Sequence, residues 1–331
     1  MNSFGRIFRV SVFGESHGEG IGVLIDGCPA GLPLEAADFA ADLERRRSGA
    51  EGTTPRREAD RPRIGSGVWR RRTTGAPILI RFKNGEARSR DYEALRHLPR
   101  PGHADFVAER KYGGFQDCRG GGTFSGRATV ALVAGGVVAK KIISGIRITA
   151  VLREAGGSTG IQRAVRNAVK AKNSIGGIVE CRAVGVPPGL GEPFFDSAES
   201  LLSHLVFAVP GVKGIEFGSG FACSRMRGSE ANDILVDSGG TTRSNHAGGI
   251  NGGLTNGNEL VFRVVVKPTS SIPGEQLTVD LRTGKAVRIS IRGRHDACFA
   301  LRVPVIIEAA AAVVLADLML LEQRVPRIME G

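Results

Sequence analysis

Aromatic side chains are scarce in this 331-residue chain: they make up 5%, with one Trp and two Tyr. A single-strand nucleic-acid binder built on many stacking platforms is therefore not expected. Paired cysteines are also lacking. Cys28, Cys118, Cys181, Cys223 and Cys298 are scattered, with no CxxC among them. That excludes a cysteine-based zinc site, and an odd, dispersed set argues against a disulfide framework. Reduced, mostly buried thiols in a reducing cytoplasm are expected instead. The N-terminal MNSFGRIFRVSVFGESHG has no long apolar h-region and no cleavage pattern, so no signal peptide is expected. Long uninterrupted apolar runs are missing too. The most apolar stretch, Val303 to Leu321, carries Pro304, Glu308 and Asp317, whereas a membrane span needs about 20 predominantly apolar residues. It reads as a buried core helix in a soluble, cytoplasmic protein with no membrane partner.

Among the cations, lysine is the minor one. The net charge is +12, from 45 Lys plus Arg against 33 Asp plus Glu. Arginine supplies most of it and makes rigid forked contacts to carboxylate and phosphate. Such a balance suits nucleic acid, an anionic membrane or a small polyanionic ligand, and charge alone does not choose. Glycine is abundant, 47 residues, yet with 15 Pro it stays below a low-complexity composition. These glycines serve turns and close backbone approaches.

No linker divides the chain, so residues 1–331 read as a single domain. Glu35 to Arg47 has Ala36, Phe39, Ala40 and Leu43 at helical spacing. Ile78 to Phe82 and Glu259 to Val266 read as strands. Asp196 with Glu199 three positions on reads as a capping box opening a helix to Phe207. Ala128 to Ile143 is an apolar helix candidate that follows the glycine run at 120–122. One internal repeat is visible: strand, Pro-x-Gly-Leu turn, helix, once from Gly22 and again from Gly177. Two copies suggest a duplicated unit, against the alternative that Pro-x-Gly-Leu is a common turn spelling. Helices and strands mixed without strict alternation predict an α+β layered fold.

Several residues are candidates for chemistry. His17 lies in the small-residue turn Gly14-Glu-Ser-His-Gly18, after a strand-like run. His103 lies in Arg100-Pro-Gly-His-Ala-Asp105, where an imidazole beside an arginine could protonate an anionic leaving group. No HExxH-type spacing occurs, so no metal is expected. Ten arginines against three acids fall between Arg45 and Arg72. They form a solvated basic loop, a mobile clamp for a multiply charged anion, or a phosphate-backbone binder. Gly120-Gly-Gly-Thr-Phe-Ser-Gly-Arg127 feeds a helix and could hold a phosphate on backbone N–H groups. Lys267-Pro-Thr-Ser-Ser271 offers a cation and three hydroxyls at a strand end, and Arg294-His-Asp296 groups a cation, a base and an acid.

Taken together and in order, these motifs resemble the chorismate synthase family. The resemblance rests on GESHG at 14–18, DLERRR at 42–47, RPGHAD at 100–105, the glycine turn at 121–127 and GLGEP at 189–193. It continues with VKG at 212–214, GSEAND at 228–233, NHAGGINGG at 245–253, KPTSSI at 267–272 and GRHD at 293–296. It spans about Ser3 to Leu321. What it implies is a β-α-β sandwich with internal duplication, one domain per chain, in a homotetramer. It also implies 1,4-anti-elimination of phosphate from 5-enolpyruvylshikimate 3-phosphate to give chorismate. The reaction uses reduced FMN without net redox change, with NADPH as a possible reductant. By the same resemblance His103 protonates the leaving phosphate, His17 acts at the reduced flavin, and Asp296 helps pass on the substrate's proton. Ser16, Arg46, Arg100, Ser125, Arg127 and Arg294 bind the substrate. Thr123, Phe124, Ser125, Pro210, Gly211, Gly252, Lys267, Pro268, Thr269, Ser270, Ser271 and Arg294 line the flavin.

The chain departs from the family pattern in places. Thr123 stands where an arginine is usual, Ala128 where a Glu is usual, and Ala297 where a Pro is usual. The basic loop after Arg47 is one residue short, with Glu51-Gly52 in place of another arginine. Arg70, Arg71 and Arg72 exceed the usual basicity. Either at least one of them reaches the site rim as compensation, or all three lie on a solvated surface, the usual place of a charge run. Two other functions are weighed: a diverged flavin-binding paralogue acting on another anion, and a nucleic-acid-binding protein, which the absence of any nucleic-acid motif disfavours.

Overall fold

The computed structural model describes residues 2–56, 58–85, 96–291 and 295–329. The chain starts with β1 (Ser3–Phe4), β2 (Arg9–Gly14) and β3 (Gly20–Asp26), then α1 (Ala40–Arg46), entered through a 3₁₀ turn at Ala36–Phe39. The short β4 (Arg63–Ile64), the hairpin of β5 (Val68–Trp69) and β6 (Arg72–Thr73), and β7 (Ile78–Lys83) follow. Helix α2 (Asp105–Tyr112) precedes the glycine-rich turn, and α3 (Thr129–Ile142) follows it. Next come β8 (Arg147–Ala155), α4 (Ile161–Lys170), β9 (Gly177–Val184), α5 (Ala198–Phe207), β10 (Val212–Phe217) and the one-turn α6 (Gly228–Ala231). The hairpin of β11 (Ile250–Asn251) and β12 (Leu254–Thr255), β13 (Leu260–Val266), the hairpin of β14 (Gln276–Val279) and β15 (Ala286–Ile289), and α7 (Val303–Leu321) complete the described chain.

Two antiparallel sheets carry the fold, ordered β1-β2-β3-β7-β4 and β10-β13-β9-β8. Alternation fixes their register, because a one-residue slip would turn every apolar side chain outward. Ile21, Val23 and Ile25 pair with Phe82, Ile80 and Ile78, all buried. Leu260, Phe262 and Val264 pair with Ala183, Cys181 and Val179 in the second sheet, again all buried.

Helix α3 packs on β2, β3 and β7, α7 packs on β8 and β9, and the two helices pack on each other. Gly136 allows their close approach, since a Cβ there would overlap Ala309. The two acids inside α7 are both satisfied. Glu308 accepts from Arg45, Lys140 and the Ala150 N–H, and Asp317 accepts the N–H groups of Arg6, Ile7 and Phe8. Phe299–Leu321 is long and apolar enough to cross a membrane, and 89% of its most apolar window is buried inside the protein.

The strand–turn–helix pattern recurs as read. Gly31 at φ +88° and Gly189 at φ +89° make the two turns, and Leu32 and Leu190 after them are buried. One cap differs. Ser197, not Asp196, caps α5: its hydroxyl accepts the Ser200 N–H, while Asp196 pairs with Arg6. Ser197 has the extended backbone a cap requires. The cysteines are free, with Cys28, Cys181 and Cys298 buried and Cys223 exposed.

Candidate active site

A cleft of about 560 Å³ opens between the turns at the ends of these elements. It gathers Ser16, His17, Arg46, Arg100, His103, Thr123–Arg127, Pro210, Gly211 and Lys267–Ser271. Among the described residues, eight cationic side chains line it, Arg46, Arg47, Arg56, Arg100, Arg127, Lys213, Lys267 and Arg302, against the carboxylates of Glu58 and Asp60. Phe207, Val209, Val212 and Phe299 add an apolar wall.

The cations are held by buried carboxylates. Asp60, with its side chain 1% exposed, bridges two of them: Oδ2 accepts from Arg46 at 3.0 Å and Oδ1 from Arg127 at 2.5 Å. Its backbone takes φ +45°, a region that costs a non-glycine residue energy unless its surroundings impose it. Arg46 also donates to the Thr129 hydroxyl and to the carbonyls of Gly126 and Arg127. Burial, opposed by Asp60 and reinforced by Arg302 and Arg127, pulls its guanidinium down to about 9. It stays charged at neutral pH.

Arg127 is fixed from its other edge by Asn84, whose amide also donates to the Glu15 and Gly18 carbonyls and so holds the His17 turn. Arg56 grips Ser16 through both its hydroxyl and its carbonyl, and Glu58 holds Arg56. Burial raises the Glu58 carboxyl, but the Gly85 N–H and Arg56 outweigh it and keep it below its usual range.

The second cluster centres on Asp105. Its carboxylate accepts from Arg100 Nε at 2.7 Å and Nη2 at 2.8 Å, and lies 2.7 Å from His103 Nδ1. Arg100 also donates to Ser271. Lys267 and Ser270 both bond the Gly102 carbonyl, so the strand-end turn supports the His103 loop. Burial, then the neighbouring Lys213, lowers the Lys267 ammonium.

Glycines shape the contacts between the loops. A Cβ at Gly120 would lie 2.6 Å from the His17 ring, and one at Gly121 would lie 3.3 Å from His103. Both glycines take positive φ.

Among the described residues, Arg47 Nε, Arg127 Nη2, Thr269 Oγ1 and Arg302 Nε on the cleft are buried with no hydrogen-bond partner. A buried donor left unmade costs about 1–3 kcal/mol. Three guanidinium donors facing that penalty in one basic cleft describe a site completed by an anionic ligand.

Some of the candidate residues lie elsewhere. Arg70, Arg71 and Arg72 do not reach the cleft. They sit on the exposed β5–β6 hairpin, where Arg70 stacks on Trp69, Arg71 faces Glu35 and Arg72 donates to the Gly31 carbonyl. The cation on the C-terminal side of the cleft is Arg302, stacked on Phe299 and held by Asp296 at 2.8 Å. Gly252 is not on the cleft either. It forms the β11–β12 turn at φ +60°, beside the α5 N-terminus. Asp296 lies behind the lining, its two oxygens engaged by the Thr54 N–H and Arg302. Arg294 lies outside the described residues. Of the described arginines between 45 and 72, Arg46, Arg47 and Arg56 line the cleft, whereas Arg45 pairs with Glu308. Asp60, Asp105, Asn84 and Arg302 escaped the sequence reading. Only Asp105 carried a signal, as the last residue of RPGHAD.

The family described as chorismate synthase matches residues 8–320. A chorismate synthase of Chitinophaga pinensis is 61% identical over 332 residues, covering 100% of both chains. One of Aeropyrum pernix is 46% identical over 97% of this chain and 93% of its own. A solved chorismate synthase structure is similar at a TM-score of 0.72 and 25% identity, covering 96% of this chain and 93% of that one.

Proposed function

The chain belongs to the chorismate synthase family, and we propose that its cleft is where this shikimate-pathway lyase removes phosphate from 5-enolpyruvylshikimate 3-phosphate by 1,4-anti-elimination. The observation that carries the assignment of the cleft is the set of buried, unpartnered guanidinium nitrogens on Arg47, Arg127 and Arg302. A substrate with two carboxylates and a phosphate meets that demand, and the cations offset its lost hydration.

Reduced FMN fits the opposite side. Phe207, Val209, Pro210 and Phe299 suit a flat ring, while Lys213, Lys267 and the unpartnered Thr269 hydroxyl suit a phosphate and polar ring edge. When bound, FMN supplies electron density to the reacting ring and takes up the departing hydrogen, with no net redox change. The chain's residues do the rest. Arg127 and Arg302 orient the anionic groups. Arg46 and Asp60 hold Arg127 in place. Protonated His103 gives its proton to the phosphate oxygen as the C–O bond breaks and the electron pair leaves with phosphate. His17, set by the Ser16 turn, holds a proton at the flavin's edge. Asp296 acts through Arg302, which it positions.

The same reading takes the repeated strand order as an internal duplication within one domain. The enzyme works as a cytoplasmic homotetramer, for which Phe13 and Leu24, half-exposed on the first sheet, offer apolar surface. Sedimentation analysis tests the tetramer. Anaerobic turnover with reduced FMN and the authentic substrate tests the reaction. Stoichiometric chorismate and phosphate are expected, and no product with this substrate would overturn the reading.

A further inference from the structure

His103 presents a problem that its neighbours must solve. Arg100 Nη2 lies 3.0 Å from its Nδ1, and a guanidinium can only donate. Left alone, that contact would demand a lone pair on Nδ1 and would disfavour the imidazolium. Asp105 reverses the demand. Its Oδ1 lies 2.7 Å from Nδ1 and 2.8 Å from Arg100 Nη2, so one charged acceptor serves both donors. The Arg100 N–H and Nε fix Oδ2 at 3.0 Å and 2.7 Å, which keeps the carboxylate from rotating away. Gly121 complements this on the far edge of the ring. It has no side chain, and a Cβ there would sit 3.3 Å from Nε2.

We infer that Asp105 is a positioning residue for His103: it takes the Nδ1 proton and leaves Nε2 as the nitrogen that delivers a proton to the leaving group. The inference rests on the proposed role of His103 as that proton donor. Burial pushes the Asp105 carboxyl up, but Arg100 and His103 outweigh it and hold it far below the usual carboxylate range. Asp105 is therefore an anion at every working pH. Other charges face the ring as well. Arg96, Asp117 and Cys118 line the small pocket on one side of it, and Lys267 and His17 share the main cleft.

The sign of the effect follows. Removing the negative charge takes away the acceptor for the Nδ1 proton and so disfavours the imidazolium. An acid is lost when it deprotonates, so the alkaline limb of the pH–kcat profile moves to lower pH. The test uses the full enzyme with reduced FMN under anaerobic conditions. Asp105→Asn is expected to shift that limb by at least one pH unit and to lower kcat more than it changes KM. Asp105→Glu is expected to return part of both. In the unsubstituted enzyme, ¹⁵N NMR of His103 is expected to show Nδ1 protonated at neutral pH. An unmoved limb in Asp105→Asn, or an unprotonated Nδ1 in the unsubstituted enzyme, overturns the inference. His103→Gln separates the two readings: undiminished turnover there means that His103 is not the acid, whatever Asp105 does.

Discussion

The two halves of the molecule share a strand order yet equip the cleft differently. Beyond the short β1, the first sheet runs β2-β3-β7-β4, and the second runs β8-β9-β13-β10. Each puts its third strand in chain order at the edge, and each is followed by a long buried helix, α3 or α7. Equivalent corners reach the same cleft. Helix α1 runs into it with Arg46 and Arg47, whereas α5 ends at Phe207, Ala208 and Val209. The approach to α3 brings Arg127 and the approach to α7 brings Phe299 and Arg302. A shared scaffold thus delivers loops to one place, and the loops decide whether charge or apolar surface arrives there. The first half carries His103 and most of the guanidinium groups that line the cleft. The second carries Phe207, Val209, Val212 and Phe299 of the apolar wall and the Thr269–Ser271 turn.

Substitutions can break this division of labour. His103→Ala, in the first half, should slow phosphate release by about 10²–10⁴-fold, the usual range for a general acid. Flavin affinity, which the proposed function places mainly on the other half, should stay nearly intact, and stopped-flow turnover with a flavin titration reads both. Asp60→Ala should destabilise the fold by about 3–5 kcal/mol, because Arg46 loses its counterion inside the protein. Chemical denaturation measures this, and a loss under about 1 kcal/mol would mean that Asp60 is not the anchor. Since the halves meet across one pocket, FMN should bind more tightly with substrate present, by about 5–150-fold, and substrate should gain equally from FMN. Equal FMN affinity with and without substrate would refute the shared cleft. The smallest effect is expected outside it. Arg70, Arg71 and Arg72 replaced together by Gln should leave substrate affinity unchanged and stability within about 0.5 kcal/mol at each surface site. A clear drop in affinity would restore them to the rim.

Much of the site was legible because its residues are grouped in short motifs. His17, Arg100, His103, Arg127 and Lys267–Ser271 were each visible in a turn, and the fold brings them together. What stayed hidden is long-range pairing. Nothing in the sequence joins Asp60 to Arg127 across 67 positions, and the shared carboxylate depends on that contact. Asp296 was visible, but not the direction it faces. The run Arg70–Arg72 left two readings open because a hairpin and a clamp loop have the same composition; positive φ at Arg70 and Arg71 marks the hairpin turn. In the fold, alternation and helical spacing exposed β7, β13, α1 and α3, whereas the packing of α3 on α7 was not readable from either helix alone.

The placement of α7 also governs how the chain is built. This helix occupies the middle of the molecule, its Asp317 receives three backbone N–H groups from residues 6–8, and it follows both sheets in chain order. A ribosome adding about 5–20 residues per second therefore completes both sheets before the helix that covers β8 and β9 and packs on α3 has emerged. Until then the segment around residues 6–8 has no acceptor and β8 and β9 have no helix against them. Vectorial synthesis leaves this enzyme with an open interior for a matter of seconds, a window in which a nascent-chain chaperone has its substrate.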